Sequence, residues 1–485
     1  MKHPLFTNPV WQSHEVGYPI QASTHAVSMA LPRWEDVVGY EEKKPAVMER
    51  LQAGYPRFLI HPLVTELAGR IGKRQPCLPF PSERVARQCA AFVGRQTGEE
   101  AAVVPGPGVW GVVATQAGAG ALKSFWQHTG LIVSTRQARA CLDGARPNSD
   151  GPAILRSLRR QLAAFYDCAE GDVFLTPTGM AAQFAGLRAL NRRTPARPTA
   201  QLGFPYVDTL KLQQKLGVGG ILLHHMETLA EDLHKLLHYQ PLAGCFSEIP
   251  GNPLLGSANL RQITPLLREH GLPLVADDVV ATPFNVDLSR HADLVATSLT
   301  KFIAGGGDVM GGALICSPQS PFYAELKPII AAQHEELLWE GDATVLDHCA
   351  RGFPERMREH NRNGLWLAEK LRQHPAVERV WYPKWEFNEA YEAVRRPEGG
   401  WGGLVTFLPR NAETTSPLIY GRLQICKGPS LGTVFTLACP FTLLAHYTEL
   451  EWAESCGVSR HLLRISVGLE NMEELWPRIE VALGA

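Results

Sequence analysis

Between residues 199 and 316 the chain repeats one pattern, and that pattern restricts the fold more than any other feature. Short apolar runs at 199–203, 220–223, 244–247, 273–276, 292–296 and 312–316 are each bounded by turn-forming residues. Amphipathic stretches, such as 210–216 and 229–237, lie between several of them. Short runs without polar alternation suit strands buried on both faces, and helices are the usual connection between parallel strands. The expected class is α/β, a mainly parallel central sheet with helices on both faces.

The flanks extend this reading. Residues 153–166 form an amphipathic helical stretch with arginines outward, 172–176 a strand, and Thr178-Gly179-Met180-Ala181-Ala182 opens a helix running to about 191. After residue 320 comes a long helical region, 322–374, then apolar runs at 377–382, 403–408, 431–436 and 462–467 that predict a smaller C-terminal α+β domain. The first 150 residues are proline-rich and irregular, with helical pieces at 45–52 and 82–93 and no strand–helix rhythm. The chain thus divides into 1–150, 151–320 and 321–485, and its 485 residues exceed what one core ordinarily serves.

Charge excludes some functions. Lys and Arg number 47 against 48 Asp and Glu, so nothing draws the chain generally to nucleic acid or to an anionic membrane. An anionic ligand must be held by a local site. The ten cysteines never form a CxxC pair, which predicts reduced, mostly buried thiols and no metal centre. The start lacks the apolar run of a signal peptide, and the uncharged stretch 101–122 is broken by Pro105, Pro107 and several glycines. A cytoplasmic protein without a membrane span is expected.

Gly106-Pro107-Gly108-Val109-Trp110-Gly111 matches GxGxxG but fails as a dinucleotide site. Pro107 has no amide hydrogen, and no Asp or Glu occurs between 101 and 141 for the ribose. A stronger constellation follows the strand rhythm. The run 273–276 ends in Asp277-Asp278, placing carboxylates at the carboxyl edge of a parallel sheet, where such folds bind ligands. Capping of the next turn is the plain alternative for one of the two. The run 292–296 leads into Ser298-Leu299-Thr300-Lys301 and a glycine-rich turn. Two hydroxyls beside a lysine suit a phosphate, and a lysine of lowered pKa can form a Schiff base with an aldehyde. Thr178-Gly179-Met180 at a helix start offers free amides to an anion, or a simple N-cap. Tyr206, after a strand, could stack on a planar ring. Arg464, inside the apolar run 462–467, needs a partner if buried, either an internal acid or a substrate carboxylate.

Together these residues resemble the Cys/Met-metabolism family of fold-type-I pyridoxal-phosphate enzymes. Asp277-Asp278-Val279-Val280-Ala281-Thr282-Pro283-Phe284 and the Lys301 segment are similar to two of its signatures. Gly39-Tyr40-Glu41-Glu42, Gly54-Tyr55-Pro56-Arg57-Phe58, Phe204-Pro205-Tyr206, Tyr382-Pro383-Lys384-Trp385, residues 427–433 and residues 445–450 resemble the longer, fungal-type cystathionine γ-synthases. The resemblance implies pyridoxal 5'-phosphate held as a Schiff base on Lys301, which also shuttles protons. It places Asp277 at the pyridine nitrogen, Tyr206 against the ring, and Asn252 near the ring hydroxyl. It gives the phosphate to Thr178, Gly179, Met180, Ser298 and Thr300, and the substrate carboxylate to Ser430 and Arg464.

The resemblance further implies a homodimer or homotetramer with active sites at subunit interfaces, the first third supplying the cross-subunit contact. There Ser134-Thr135-Arg136 stands where the family has Tyr-x-Arg for a neighbour's phosphate, and Gly306 stands for a His or Gln. Arg136 is the residue expected to reach across. The implied activity is γ-replacement on an O-acylated homoserine by a nucleophile such as cysteine. Alternatives are a sulfhydrylase, a specialised γ-synthase with another nucleophile, or a γ- or β-lyase. A non-catalytic binding module is the alternative of another class, and the joint presence of Lys301, Asp277 and Arg464 argues against it.

Overall fold

The computed structural model describes residues 3–145 and 149–484. The strands in chain order are β1 Cys77–Phe80, β2 Ala102–Pro105, β3 Trp110–Val113, β4 Val173–Thr176, β5 Thr199–Leu202, β6 Gly220–Leu223, β7 Gly244–Glu248, β8 Leu274–Asp277, β9 Leu294–Ser298, β10 Gly312–Cys316, β11 Val377–Trp381, β12 Leu404–Pro409, β13 Cys426–Lys427, β14 Leu437–Cys439 and β15 Leu463–Ser466.

The central sheet runs β4-β10-β9-β8-β7-β5-β6. Five neighbours, β9 through β6, are parallel, and β10 is antiparallel to both β9 and β4. Side chains alternate between its two covered faces. Leu274 and Ala276 join one buried cluster with Leu158, Leu233, Leu260 and Leu267, whereas Val275 joins the other with Ala181, Leu187 and Leu326. Burial on both faces explains why these strands read as unbroken apolar runs.

The C-terminal sheet, β11-β12-β15-β14-β13, is antiparallel except between β13 and β14. It packs against the helices Phe353–Gln373 and Met472–Leu483 through Leu367, Leu371, Leu475 and Ile479. Val16, Met29, Leu31, Val37 and Tyr40 of the N-terminal segment share this core.

Several expectations change. The first third carries an antiparallel sheet, β1-β3-β2. Gly106-Pro107-Gly108 is its hairpin loop, with the Gly106 amide donating to Val109 O at 2.9 Å. The helical region 322–374 is three helices, Tyr323–Gln333, Glu340–Arg351 and Phe353–Gln373. The run 431–436 is a loop whose amides bond outward, Gly432 to Ser466 Oγ and Val434 to Gly305 O, so no ladder forms there. Among the described residues no helix is long and apolar enough to cross a membrane, and no group of three or more His, Cys, Asp and Glu could hold a metal ion.

Candidate active site

Strand register assembles the site. Glu248 pairs with Asp277 across β7 and β8, and Asp277 with Ala296 across β8 and β9. Glu248, Asp277 and Ser298 therefore reach one carboxyl edge together. Thr176 and Ser298 both face Gly312, which brings the start of the helix Gly179–Arg193 beside Ser298. A Cβ on Gly312 would stand 2.3 Å from Thr178 O, so only glycine permits this approach. A Cβ on Gly179 would stand 2.7 Å from that of Ser298. Above this edge lies a cavity of about 370 Å³.

Lys301 lines the cavity. Its Nζ donates to Ser430 Oγ at 2.8 Å and lies 4.4 Å from the centre of the Tyr55 ring. Burial, and then the charges of Arg464 and Arg57, hold its pKa well below the ordinary 10.5. Arg464 donates to Asn252 Oδ1 at 3.0 Å and to Ser430 O at 2.7 Å, and its guanidinium lies 4.6 Å from the Phe441 ring centre. Neither hydrogen-bond partner is an acid, so its charge stands ready for an anion in the cavity. Ser430 has φ +100°, an unfavourable conformation for a residue with a Cβ.

Asp277 accepts from Gln183 Nε2 at 2.7 Å and from the Val279 amide at 2.9 Å. Glu248 accepts the backbone amides of Tyr206 and Asn252, tying the two loops together. Burial raises both carboxyls, and Asp277 raises Glu248 further. A cationic ring nitrogen beside Asp277 would oppose that rise. Asp278 instead faces Tyr166, whose hydroxyl donates to it at 2.9 Å.

Gly179, Met180, Tyr206, Asn252, Asp277, Ser298, Lys301, Ser430 and Arg464 all line the cavity. Three expected residues do not. Thr178 is an N-cap, accepting from the Ala181 amide and donating to Gly130 O. Thr300 is buried, its Oγ accepting from the Gly311 amide at 3.1 Å. Arg136 is bound by Asp308 and Asp342, and Ser134 Oγ donates to Asp342. In their place the N-terminal segment brings Tyr55 and Arg57. Arg57, 1% exposed, donates to Tyr206 OH at 2.7 Å and pairs with buried Asp208. The Tyr-x-Arg pattern, absent from Ser134-Thr135-Arg136, stands at Tyr55-Pro56-Arg57, and that match was the available signal.

These residues fit pyridoxal phosphate. The helix start offers the amides of Gly179 and Met180, and Ser298 Oγ is buried with no hydrogen-bond partner among the described residues. A lysine of lowered pKa for the aldehyde and an acid for the ring nitrogen face the same cavity.

Comparison with known proteins agrees. The family model described as Cys/Met metabolism PLP-dependent enzyme matches residues 152–484, and that of the fungal trans-sulfuration enzyme N-terminal domain matches 59–134. The cystathionine gamma-synthase of Neurospora crassa is 32% identical, covering 95% of this chain and 96% of its own. The L-2-amino-4-chloropent-4-enoate dechlorinase/desaturase of Streptantibioticus cattleyicolor is also 32% identical, covering 94% and 95%. The crystal structure of cystathionine gamma synthase from Xanthomonas oryzae pv. oryzae in complex with aminoacrylate and cysteine matches with TM-score 0.60 at 26% identity, over 68% of this chain and 85% of that one. On these matches, and with Lys301 and Asp277 lining one cavity at the edge of the central sheet, the chain belongs to the Cys/Met-metabolism family of pyridoxal-phosphate-dependent enzymes.

Proposed function

We propose that the protein is a cytoplasmic homo-oligomer that catalyses γ-replacement on an O-acylated homoserine, with cysteine or a similar nucleophile displacing the acyl group. The observation that carries this reading is Arg464, a buried guanidinium with no acidic partner among the described residues, which shares a cavity with Lys301. It is suited to an amino-acid carboxylate. The cofactor, when bound, supplies an electron sink for charge at Cα.

The chain's residues do the rest. Arg464 and Ser430 hold the carboxylate and so fix Cα relative to Lys301 Nζ. Lys301, whose pKa its surroundings lower, takes the Cα proton and then moves a proton at Cβ. Ser430 Oγ positions Nζ between these transfers. Asp277, held by Gln183 and the Val279 amide, would pair with the ring nitrogen of the bound cofactor. Exposed Lys43 and Lys123 mark the mouth, where Glu41 and Lys211 also line the wall. Burial pushes the Glu41 carboxyl up to about 7. Mixed charge there favours a zwitterionic nucleophile over sulfide.

Elimination without replacement is the second reading, favoured by the relative named as a dechlorinase/desaturase. Incubation with O-acetylhomoserine, with and without cysteine, followed by mass spectrometry distinguishes them. Cystathionine is the expected product; release of 2-oxobutanoate alone, whatever nucleophile is offered, would refute replacement.

A further inference from the structure

We infer that His360 is a positioning residue for the reaction: with Arg356 and Asn363, on one face of the helix Phe353–Gln373, it sets the separation of Lys301 from Arg464, chiefly through its bond to Val467 O. This rests on the assignment of Lys301 to the cofactor and of Arg464 to the substrate carboxylate, not on the choice of nucleophile.

The two residues belong to different cores. Phe302 and Ile303, which follow Lys301, are buried in a cluster of the central sheet, whereas Ile465 and Val467, which follow Arg464, are buried in that of the C-terminal sheet. The helix Phe353–Gln373 enters both. Phe353 and Met357 join the first cluster, Leu367 and Leu371 the second. Positions 356, 360 and 363 lie between, at i, i+4 and i+7, so they share a face and span about 10 Å.

Each of the three holds a backbone carbonyl. Arg356 Nη2 donates to Ile303 O at 2.6 Å. Asn363 Nδ2 donates to Gly468 O and Glu470 O, both at 3.0 Å, on the turn that leaves β15. His360 touches both sides. Its ring stands edge-on to that of Phe302, with centroids 5.0 Å apart, and its Nδ1 lies 2.8 Å from Val467 O. A carbonyl only accepts, so Nδ1 carries the proton and donates. Nε2 is buried with no hydrogen-bond partner among the described residues, and burial lowers the ring's pKa to about 4, so the imidazole is neutral. The face is also pinned against sliding. A Cβ on Gly364 would stand 2.3 Å from Gly402 O, and the Val467 amide donates to Gly403 O at 2.7 Å. Next to Val467, Ser466 Oγ accepts the Gly432 amide at 2.7 Å, so the same strand end also sets the loop that carries Ser430.

The test uses the holoenzyme. Proton NMR in deuterated water measures exchange of the Cα proton of saturating L-homoserine, alongside bound cofactor and the midpoint in denaturant. His360→Leu removes the donor to Val467 O. It is expected to bind cofactor within about twofold of wild type and to slow exchange about tenfold, the scale of a sub-ångström misplacement. His360→Asn keeps a donor near the place of Nδ1 and should bring exchange back to within about threefold of wild type. A lowered midpoint with unchanged exchange in His360→Leu would mark a merely structural role and overturn the inference, as would a His360→Asn protein as slow as His360→Leu. If His360→Leu does not fold, Asn363→Ala, which frees Gly468 O and Glu470 O, is read in the same way. Wild-type holoenzyme that exchanges no Cα proton would overturn the functional reading and this inference with it, a result distinct from any difference between wild type and variant.

Discussion

Replacing Arg464 by alanine should separate substrate binding from cofactor binding. A guanidinium has five N–H donors, and among the described residues Arg464 gives them to Asn252 Oδ1 and Ser430 O, with the Cys439 thiol also beside it. The remainder can meet a carboxylate in a fork. Losing a charge-assisted pair in a buried site costs about 3 kcal/mol, roughly a hundredfold in affinity. Arg464→Lys keeps the charge but not the fork, so about 1.5 kcal/mol, or tenfold, is expected. The assay is a spectral titration of the holoenzyme with L-homoserine, alongside direct measurement of bound cofactor. Arg464→Ala should keep its colour while its amino-acid dissociation constant rises. Substrate affinity within twofold of wild type, or loss of colour, would refute the assignment of Arg464 to the substrate carboxylate.

Other outcomes follow from the same geometry. In cofactor-free protein, Lys301 has a folded pKa below its ordinary 10.5, so between those values the unfolded chain binds more protons and stability rises with pH. Lys301→Met should therefore stabilise the cofactor-free protein most below the folded pKa and least near pH 10.5; chemical denaturation across pH checks this, and a pH-independent difference would contradict it. Asp277→Asn should retain bound cofactor but lose turnover by about a hundredfold, since it removes a charge aimed at the ring nitrogen; steady-state kinetics at full cofactor occupancy is the measurement. Gly312→Ala forces a Cβ towards Thr178 O and should cost about 2 kcal/mol of stability, seen as a lowered midpoint in denaturant.

Much of the fold was legible because its central strands are buried on both faces. Strands β6 and β10 fall where the apolar runs stand, at Gly220–Leu223 and Gly312–Cys316. The run 431–436 was misleading because apolar content does not reveal where amides bond. Gly432, at φ +75°, lies so close to Lys301 that a Cβ would stand 2.5 Å from the Phe302 amide nitrogen. That loop closes over the lysine, and the strand begins only at Leu437.

The cavity lining was legible at or just past a strand end, as at Asp277, Ser298 and Lys301. The two threonines were not, because Thr178 and Thr300 serve a helix cap and a backbone amide, uses that spacing cannot distinguish from a phosphate contact. Tyr55 and Arg57 were missed for another reason. They lie far from the central sheet in sequence, and their place at the cavity depends on contacts with Trp126, Gln127, Tyr206 and Asp208 that no local pattern shows.

The central claim is that Lys301 carries the cofactor. Borohydride reduction of the holoenzyme, followed by peptide mass spectrometry, tests it most directly. A pyridoxyl-phosphate adduct on the peptide containing Ser298-Leu299-Thr300-Lys301 is the predicted result. An adduct on a different lysine, or none in a protein that is yellow before reduction, would contradict it.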